Sequence, residues 1–272
     1  MKSSSPFDRR KARKTNDLER KGVGATEKKL RILIVCEGQK TEPNYFEAFK
    51  ADYRDQLAAV IVKPSRGSAP ISNVETAEKL YQDDLASVGG DFALAFDAVH
   101  CVFDRDNHPS FDAAIAKVAS LYKDKIPIYA IVSYPCFEFW LILHFRYTRK
   151  PFAKTSKLSI GDAAKKMLRE FPGFAAYKES EPNAYALTKE LLRDAIKHSK
   201  QAAKEAIDVD QPNPSTRVHE LIEVLFKAIL KSLLAQFSKE QEERINADLK
   251  IALLAKVNAI GLILGIKKTS RF

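Results

Sequence analysis

The first indication of the fold is the sequence Arg-Ile-Leu-Ile-Val-Cys-Glu-Gly at residues 31–38. A short run of β-branched and other apolar residues that ends in a turn is typical of a strand buried on both faces of a sheet. Similar apolar runs occur at residues 57–62, 98–103 and 126–132, and segments with helical periodicity alternate with them. Strands that alternate with helices of this length predict a parallel α/β sheet.

The composition divides the chain into three regions. Residues 1–29 are polar, basic and without apolar periodicity, which predicts a flexible arm. Residues 30–148 contain the alternating strands and helices of an α/β core, and residues 149–272 consist mostly of helix formers. The predicted fold class is therefore α/β, a parallel sheet flanked by helices, with a helical C-terminal region.

The positive charge is concentrated at the two ends of the chain. The net charge is +10, of which residues 1–31 contribute seven positive charges and residues 267–272 contribute three. Residues 32–266 are therefore neutral overall. A basic arm attracts nucleic acid in a salt-dependent way, and a solvated tail without a specific role is the alternative.

Composition also bears on the cellular compartment. No apolar run reaches the roughly 20 residues that a membrane span needs, and the first residues lack the apolar region of a secretory signal. Three scattered cysteines are too few for a disulfide framework and indicate a reducing compartment. We therefore expect a cytoplasmic protein that does not associate with a membrane.

Acidic side chains follow the predicted strands. Glu37 comes directly after the first strand, Asp104 and Asp106 end the third, Glu138 follows the fourth, and Glu42 lies one turn beyond Glu37. Ligands of open parallel sheets bind beyond the carboxyl ends of the strands, so we expect these five residues to converge. Converging carboxylates repel one another unless a cation lies between them, and oxygen ligands favour Mg²⁺ or Mn²⁺. The alternative is that each acid is a solvated loop residue.

Other chemical motifs are absent from the sequence. The segment Gly-Gln-Lys-Thr at residues 38–41 lacks the first glycine and the spacer of a phosphate-binding loop, and the chain contains no G-x-G-x-x-G, G-x-S-x-G or H-E-x-x-H pattern. The spacing of Cys36, Cys101 and Cys136 does not resemble a zinc site, and we interpret them as buried core residues.

Four segments, taken together, resemble the motifs of RloB-like proteins. They are Val-Cys-Glu-Gly-Gln-Lys-Thr-Glu-Pro-Asn-Tyr-Phe at residues 35–46, Phe-Asp-Arg-Asp-Asn-His-Pro at 103–109, Pro-Cys-Phe-Glu-Phe-Trp-Leu-Ile-Leu-His-Phe at 135–145 and Asn-Pro-Ser-Thr-Arg-Val-His at 213–219. The likeness runs from about residue 30 to the C-terminus. This family is similar to the Toprim group of primases, topoisomerases and nucleases, so the resemblance implies a Toprim-like core. One departure is Tyr134, which precedes Pro135 where the family commonly has Asn.

The resemblance implies a metal-dependent phosphodiester site. Glu37 takes the place of the Toprim glutamate, and Asp104 and Asp106 take that of its Asp-x-Asp pair. Glu138 is either a fourth catalytic and metal-binding carboxylate or the cap of its own helix. Glu42 is likewise either a metal ligand or a helix cap. The expected cofactor is Mg²⁺ or Mn²⁺.

Lys40, Arg66, Arg105 and His108 are candidate contacts to substrate phosphates. Arg105 alternates with the two aspartates, so its side chain either joins them or points away. His108 either orients water or substrate or serves as a turn residue. For Trp140, core packing is favoured over base stacking. Asn213, Ser215 and Thr216 are expected to open a helix, with Ser215 or Thr216 as its cap.

RloB-like proteins occur in restriction-modification and abortive-infection settings, often beside a partner ATPase. The resemblance therefore implies a Mg²⁺-dependent Toprim-type endonuclease that cleaves DNA or RNA, tRNA included, as a phage-defence effector. The alternative is a non-catalytic regulatory or partner-binding module of a defence complex. A topoisomerase needs a strand-passage domain for which the chain has no room, and no primase elements are recognisable. Nucleic acid and an ATPase are the expected partners, and the sequence leaves the oligomeric state open.

Overall fold

The structure, a computed structural model, describes residues 29–106, 108–242 and 247–264, with side chains omitted at 237–250. All but the last residue of the predicted arm at 1–29 lies outside this part of the chain. The strands are β1 (Ile32–Cys36), β2 (Val60–Pro64), β3 (Ala98–Asp104), β4 (Ile128–Tyr134) and β5 (Ser215–Thr216). The helices are α1 (Thr41–Asp52), α2 (Pro70–Ser87), α3 (Phe111–Lys123), α4 (Glu138–Phe145), α5 (Ile160–Leu168), α6 (Ala184–Thr188), α7 (Leu192–Asp208), α8 (Val218–Glu242) and α9 (Ala247–Ile263).

The strands form one mixed sheet in the order β2-β1-β3-β4-β5. The first four strands are parallel, and β5 pairs antiparallel with β4. This arrangement, with helices on the sheet and a helical C-terminal part, confirms the predicted α/β class. Within the register, Cys36 lies opposite Val102 and Asp104 lies opposite Ser133, so the carboxyl ends of β1, β3 and β4 meet at one edge.

Both faces of the sheet are covered, which explains why β1 is apolar throughout. Its residues alternate between two cores: Ile32 and Ile34 pack with α1, α4 and the C-terminal helices, while Leu33 and Val35 pack with α2 and α3. Trp140 is fully buried in the first of these cores, which confirms that it packs in the core.

The motif at residues 213–219 joins the helical region to the sheet. Ser215 and Thr216 form β5, so the expectation that they open a helix was wrong, and α8 begins at Val218. The hydroxyl groups of Thr216 and Ser133 form a buried hydrogen bond of 2.8 Å across the strand pair, and Thr216 Oγ1 also accepts one from Val218 N–H at 3.3 Å. Thr216 thus bonds both to the neighbouring strand and to the first residue of α8. The proposed division at residues 148 and 149 stays a prediction.

Among the described helices, none combines the length and the hydropathy that crossing a membrane requires.

Candidate active site

A cleft of about 500 Å³ opens at the carboxyl edge of the sheet. It lies beyond the ends of β1, β3 and β4, where the first turns of α1 and α4 also begin. All of the acidic side chains that the sequence placed here line the cleft, namely Glu37, Glu42, Asp104, Asp106 and Glu138. The topology therefore brings together carboxylates that are up to 101 residues apart in the chain.

Glu37 joins the ends of β1 and β3. Its backbone N–H donates to Val102 O at 2.8 Å, and its carboxylate oxygen Oε2 accepts a hydrogen bond from Asp104 N–H at 3.0 Å. The side chain is half-buried. Because both its backbone and its carboxylate are bonded to β3, Glu37 and Asp104 are held side by side.

Asn73 holds the ends of β1 and β3 together through its side chain, a role that the sequence did not indicate. The side chain is completely buried in the first turn of α2, and its Nδ2 donates to Val35 O at 3.0 Å and to Val102 O at 3.2 Å. These carbonyl groups lie two residues before the acids that end β1 and β3. Asn73 therefore acts as a structural clamp for the acidic edge.

Glu42 folds back over the turn that follows β1. The residue is only 6% exposed, and its carboxylate packs so closely on Gly38 that a Cβ atom there would lie 2.9 Å from Glu42 Cδ. Only glycine leaves room for this approach. The hydroxyl of the neighbouring Thr41, the first residue of α1, accepts a hydrogen bond from Ser180 N–H at 3.1 Å.

Glu138 is the first residue of α4 and is almost completely buried. Its Oε1 accepts a hydrogen bond from the Tyr177 hydroxyl at 2.9 Å. Tyr177 belongs to the segment between α5 and α6, so a residue of the helical region holds this carboxylate in the cleft.

Burial and mutual repulsion disturb the ionisation of these acids. Burial, followed by the charges of Asp106 and Glu42, raises the pKa of Glu37 to about 7, although the hydrogen bond from Asp104 N–H opposes the rise. Burial and the charge of Glu138 raise the pKa of Glu42 to about 7. The pKa of Asp104 lies well above its usual range because of burial and the charges of Glu42, Glu138 and Glu37. The raised pKa values show that these carboxylates repel one another and that their surroundings do not compensate for their negative charge.

The donor chemistry fits a divalent cation. Carboxylate oxygens are the ligands that Mg²⁺ and Mn²⁺ prefer, and a bound cation would relieve the repulsion that raises these pKa values. As the side chains stand, no three His, Cys, Asp or Glu residues of the described chain surround a common point closely enough to hold an ion. The fit therefore rests on the kind of donors and on their electrostatics.

A family model described as "RloB-like protein" matches residues 32–225, which is most of the chain. The chain belongs to this family. The matched region contains all four segments on which the resemblance was based, and it ends within α8. No curated protein and no solved structure matches the chain.

The four candidate phosphate contacts of this RloB-like protein are dispersed. Lys40 lines the cleft at the start of α1, whereas the other three are not among the described residues that line it. The Arg105 guanidinium lies 4.9 Å from the ring centre of Phe111 and 5.5 Å from that of Tyr134, so it points to aromatic rings.

Arg66 and His108 occupy loops beside the cleft. Arg66 is exposed, and its backbone N–H donates to Thr76 Oγ1 at 3.3 Å. The ring Nδ1 of His108 lies 2.9 Å from Ser110 Oγ and 3.2 Å from the backbone N of the same residue. These contacts place the His108 ring against Ser110, the residue before α3, and its role as a phosphate contact stays a prediction.

The helical region supplies cleft residues that carry no sequence signal. Lys165, Glu179 and Ser180 line the cleft from this side. Cys136, which belongs to the motif at residues 135–145 and not to the helical region, also lines the cleft, and burial raises the pKa of its thiol well above the usual range. Since Lys165 and Glu179 belong to none of the four motifs, only the folded chain shows that they face the acids.

Proposed function

We propose that this RloB-like protein is a metal-dependent nuclease that hydrolyses phosphodiester bonds in DNA or RNA. The observation that carries the proposal is the cluster of five carboxylates in one cleft at the carboxyl edge of the sheet. Open α/β sheets bind ligands at this edge. Buried like charges are stable there only when protons or a cation neutralise them, and the donors are those of Mg²⁺ or Mn²⁺.

Glu37, Asp104 and Asp106 would hold the ion, with Glu138 and Glu42 as further carboxylates. When bound, such an ion activates water and stabilises negative charge on a phosphate oxygen. In the metal-free protein Glu37 is able to hold or release a proton near neutral pH, because its pKa is raised to about 7, so binding of the ion would displace this proton.

Other residues orient these groups. Asn73 and the hydrogen bond from Asp104 N–H to Glu37 fix the two strand ends relative to each other. Tyr177 orients Glu138. Lys40 adds positive charge beside the acids.

For the cell, the family membership supports a role as a cytoplasmic phage-defence effector that works with a partner ATPase. All three cysteines are free and buried, as suits a reducing compartment. A non-catalytic, partner-binding module of a defence complex is the second candidate, since such a module would keep the fold and the partner surface but would not need the acids.

Sequencing of nucleic-acid ends tests this proposal and identifies the substrate. Cells would express the wild type, Asp104→Ala or the control Asp112→Ala, which removes an exposed carboxylate from the first turn of α3. New DNA or RNA ends should appear with the wild type and the control but not with Asp104→Ala. The same new ends with Asp104→Ala, or none with the wild type together with its partner ATPase, would favour the non-catalytic module.

A further inference from the structure

An ion pair from the helical region borders the acidic cleft. Lys165 on α5 contacts the carboxylate of Glu179 through its Nζ atom, and both residues line the cleft. The two side chains differ in exposure: that of Lys165 is 19% exposed and that of Glu179 is 68% exposed. The cation is therefore fixed in the wall of the cleft, whereas its partner extends into solvent.

Lys165 keeps its charge in spite of burial. Burial acts to lower its pKa, but the hydrogen bond with Glu179 and the charge of Glu138 outweigh this effect and raise it. The Lys165 ammonium group thus provides positive charge next to one of the carboxylates proposed to bind metal. Lys165 and Lys40 are the lysines among the described residues that line the cleft.

The backbone around Glu179 is held in place on both sides. The Tyr177 hydroxyl donates to Glu138 at 2.9 Å and Tyr177 O accepts from Arg169 Nε at 3.1 Å, while Ser180 N–H donates to Thr41 Oγ1 at 3.1 Å. The segment therefore stays against the cleft when the Glu179 side chain rotates. Because the Glu179 side chain is already largely exposed, its carboxylate can rotate away from Lys165 into water with little further change in its own surroundings.

We propose that Lys165 binds a phosphate group of the nucleic-acid substrate, and that the Glu179 carboxylate occupies the place of that phosphate in the substrate-free protein. A carboxylate and a phosphate present the same kind of anionic oxygen to an ammonium group. The inference rests on the proposed function, because it takes nucleic acid as the substrate. Its physical basis is that a polyanion entering a cleft lined by acids needs a fixed cation on the cleft wall.

Binding of short fluorescein-labelled single-stranded DNA and RNA tests the inference by fluorescence anisotropy. The buffer would contain Ca²⁺, which takes the same oxygen ligands, and the integrity of the oligonucleotides would be checked on a gel. Lys165→Met should weaken binding about tenfold, as expected for the loss of one charge-assisted hydrogen bond. Lys166→Met is the matched control, since Lys166 is the next residue of α5 and is exposed. It should bind like the wild type.

Two further variants test the exchange itself. Glu179→Gln should tighten binding about two- to fivefold, because the competing carboxylate is removed, and an exposed side chain can be changed without loss of the fold. Lys165→Arg should retain most of the affinity. Equal affinities of Lys165→Met and Lys166→Met, unchanged affinity of Glu179→Gln, or no binding by the wild type would each overturn the inference.

The binding experiment and the cleavage experiment can fail independently of each other. If Lys165→Met loses affinity while the wild type cleaves nothing, phosphate binding stands and the nuclease proposal fails. If the wild type cleaves but its affinity does not depend on Lys165 or Glu179, the nuclease proposal stands and this inference fails.

Discussion

Replacement of Glu42 by Gln should stabilise the metal-free protein above neutral pH. Glu42 is a buried carboxylate at the start of α1, and burial together with the charge of Glu138 raises its pKa from 4.5 to about 7. In the folded state the ionised form is therefore unfavourable. Gln has nearly the same shape and carries no charge, so it avoids this penalty.

The magnitude follows from the difference between the folded and the unfolded pKa of Glu42. One pKa unit corresponds to about 1.4 kcal/mol, so the shift from 4.5 to about 7 sets an upper limit of about 3–4 kcal/mol on the penalty. Neighbouring carboxylates share the protons, so we expect the free energy of unfolding to rise by about 1–2 kcal/mol. Between pH 4.5 and about 7 the folded state binds more protons than the unfolded state. The stability of the wild type therefore falls as the pH rises through this range.

Urea denaturation at pH 5 and pH 8 in EDTA would measure this effect, with the fluorescence of the single, buried Trp140 as the probe. Glu47→Gln is the matched control, because Glu47 lies on the same helix with its side chain 51% exposed. Glu42→Gln should be more stable than the wild type at pH 8 and similar to it at pH 5, and Mg²⁺ should stabilise it less. A variant that is less stable than the wild type at pH 8, or that loses as much stability as the wild type between pH 5 and pH 8, would refute the argument, because Glu37 and Asp104 account for only part of the pH dependence.

Three further predictions concern the glycine under Glu42, the partner of Glu138 and the basic arm. Gly38→Ala should lower the free energy of unfolding by about 1–3 kcal/mol, since the methyl group displaces the Glu42 carboxylate; wild-type stability in urea would show that the carboxylate is not held there. Tyr177→Phe should cost about 1–3 kcal/mol in the same assay, because buried Glu138 loses its hydrogen bond; an unchanged denaturation midpoint would contradict this. Removal of residues 1–29 should weaken nucleic-acid binding and flatten its dependence on salt concentration, as measured by fluorescence anisotropy. Cleavage of short substrates should remain intact. Loss of that cleavage would show that the arm is part of the site.

The sequence predicted the parallel part of the sheet because its strands are apolar, and the central strands β1 and β3 are buried on both faces. The apolar runs of β1, β3 and β4 correspond closely to the strands. The second strand was expected at residues 57–62 but spans Val60–Pro64. Leu57 explains the shift, because it is buried in the core from a turn that precedes the strand. Apolar composition reports burial, and it does not distinguish a strand from a buried turn.

The fifth strand could not be predicted from local sequence. Ser215 and Thr216 are two polar residues without alternation, and they are a strand only because they pair with the edge of β4. Their hydrogen bonds involve Ser133 and Ser199, residues distant in sequence, with Ser199 Oγ donating to Thr216 O at 3.0 Å. Tertiary pairing, rather than local propensity, defines this element.

The acids of the site were predictable because the ends of parallel strands meet at one edge. The side chains that orient these acids, or that face them across the cleft, were not predictable. Asn73 lies inside a helix of ordinary appearance, and Lys165 and Glu179 reach the cleft from a region without a motif. The side chain of Arg105 was left open between two directions, and only the packed rings of Phe111 and Tyr134 determine where it lies.

Cleavage by the purified protein tests the proposed metal site most directly. DNA and RNA would be incubated with the wild type and Asp104→Asn, each in Mg²⁺, Mn²⁺ or EDTA, alone and with the partner ATPase. We predict that the wild type cleaves in Mg²⁺ or Mn²⁺, that EDTA abolishes cleavage, and that Asp104→Asn is inactive while its urea denaturation remains cooperative. Cleavage in EDTA, cleavage by Asp104→Asn at the wild-type rate, or no cleavage under any of these conditions would contradict the proposal.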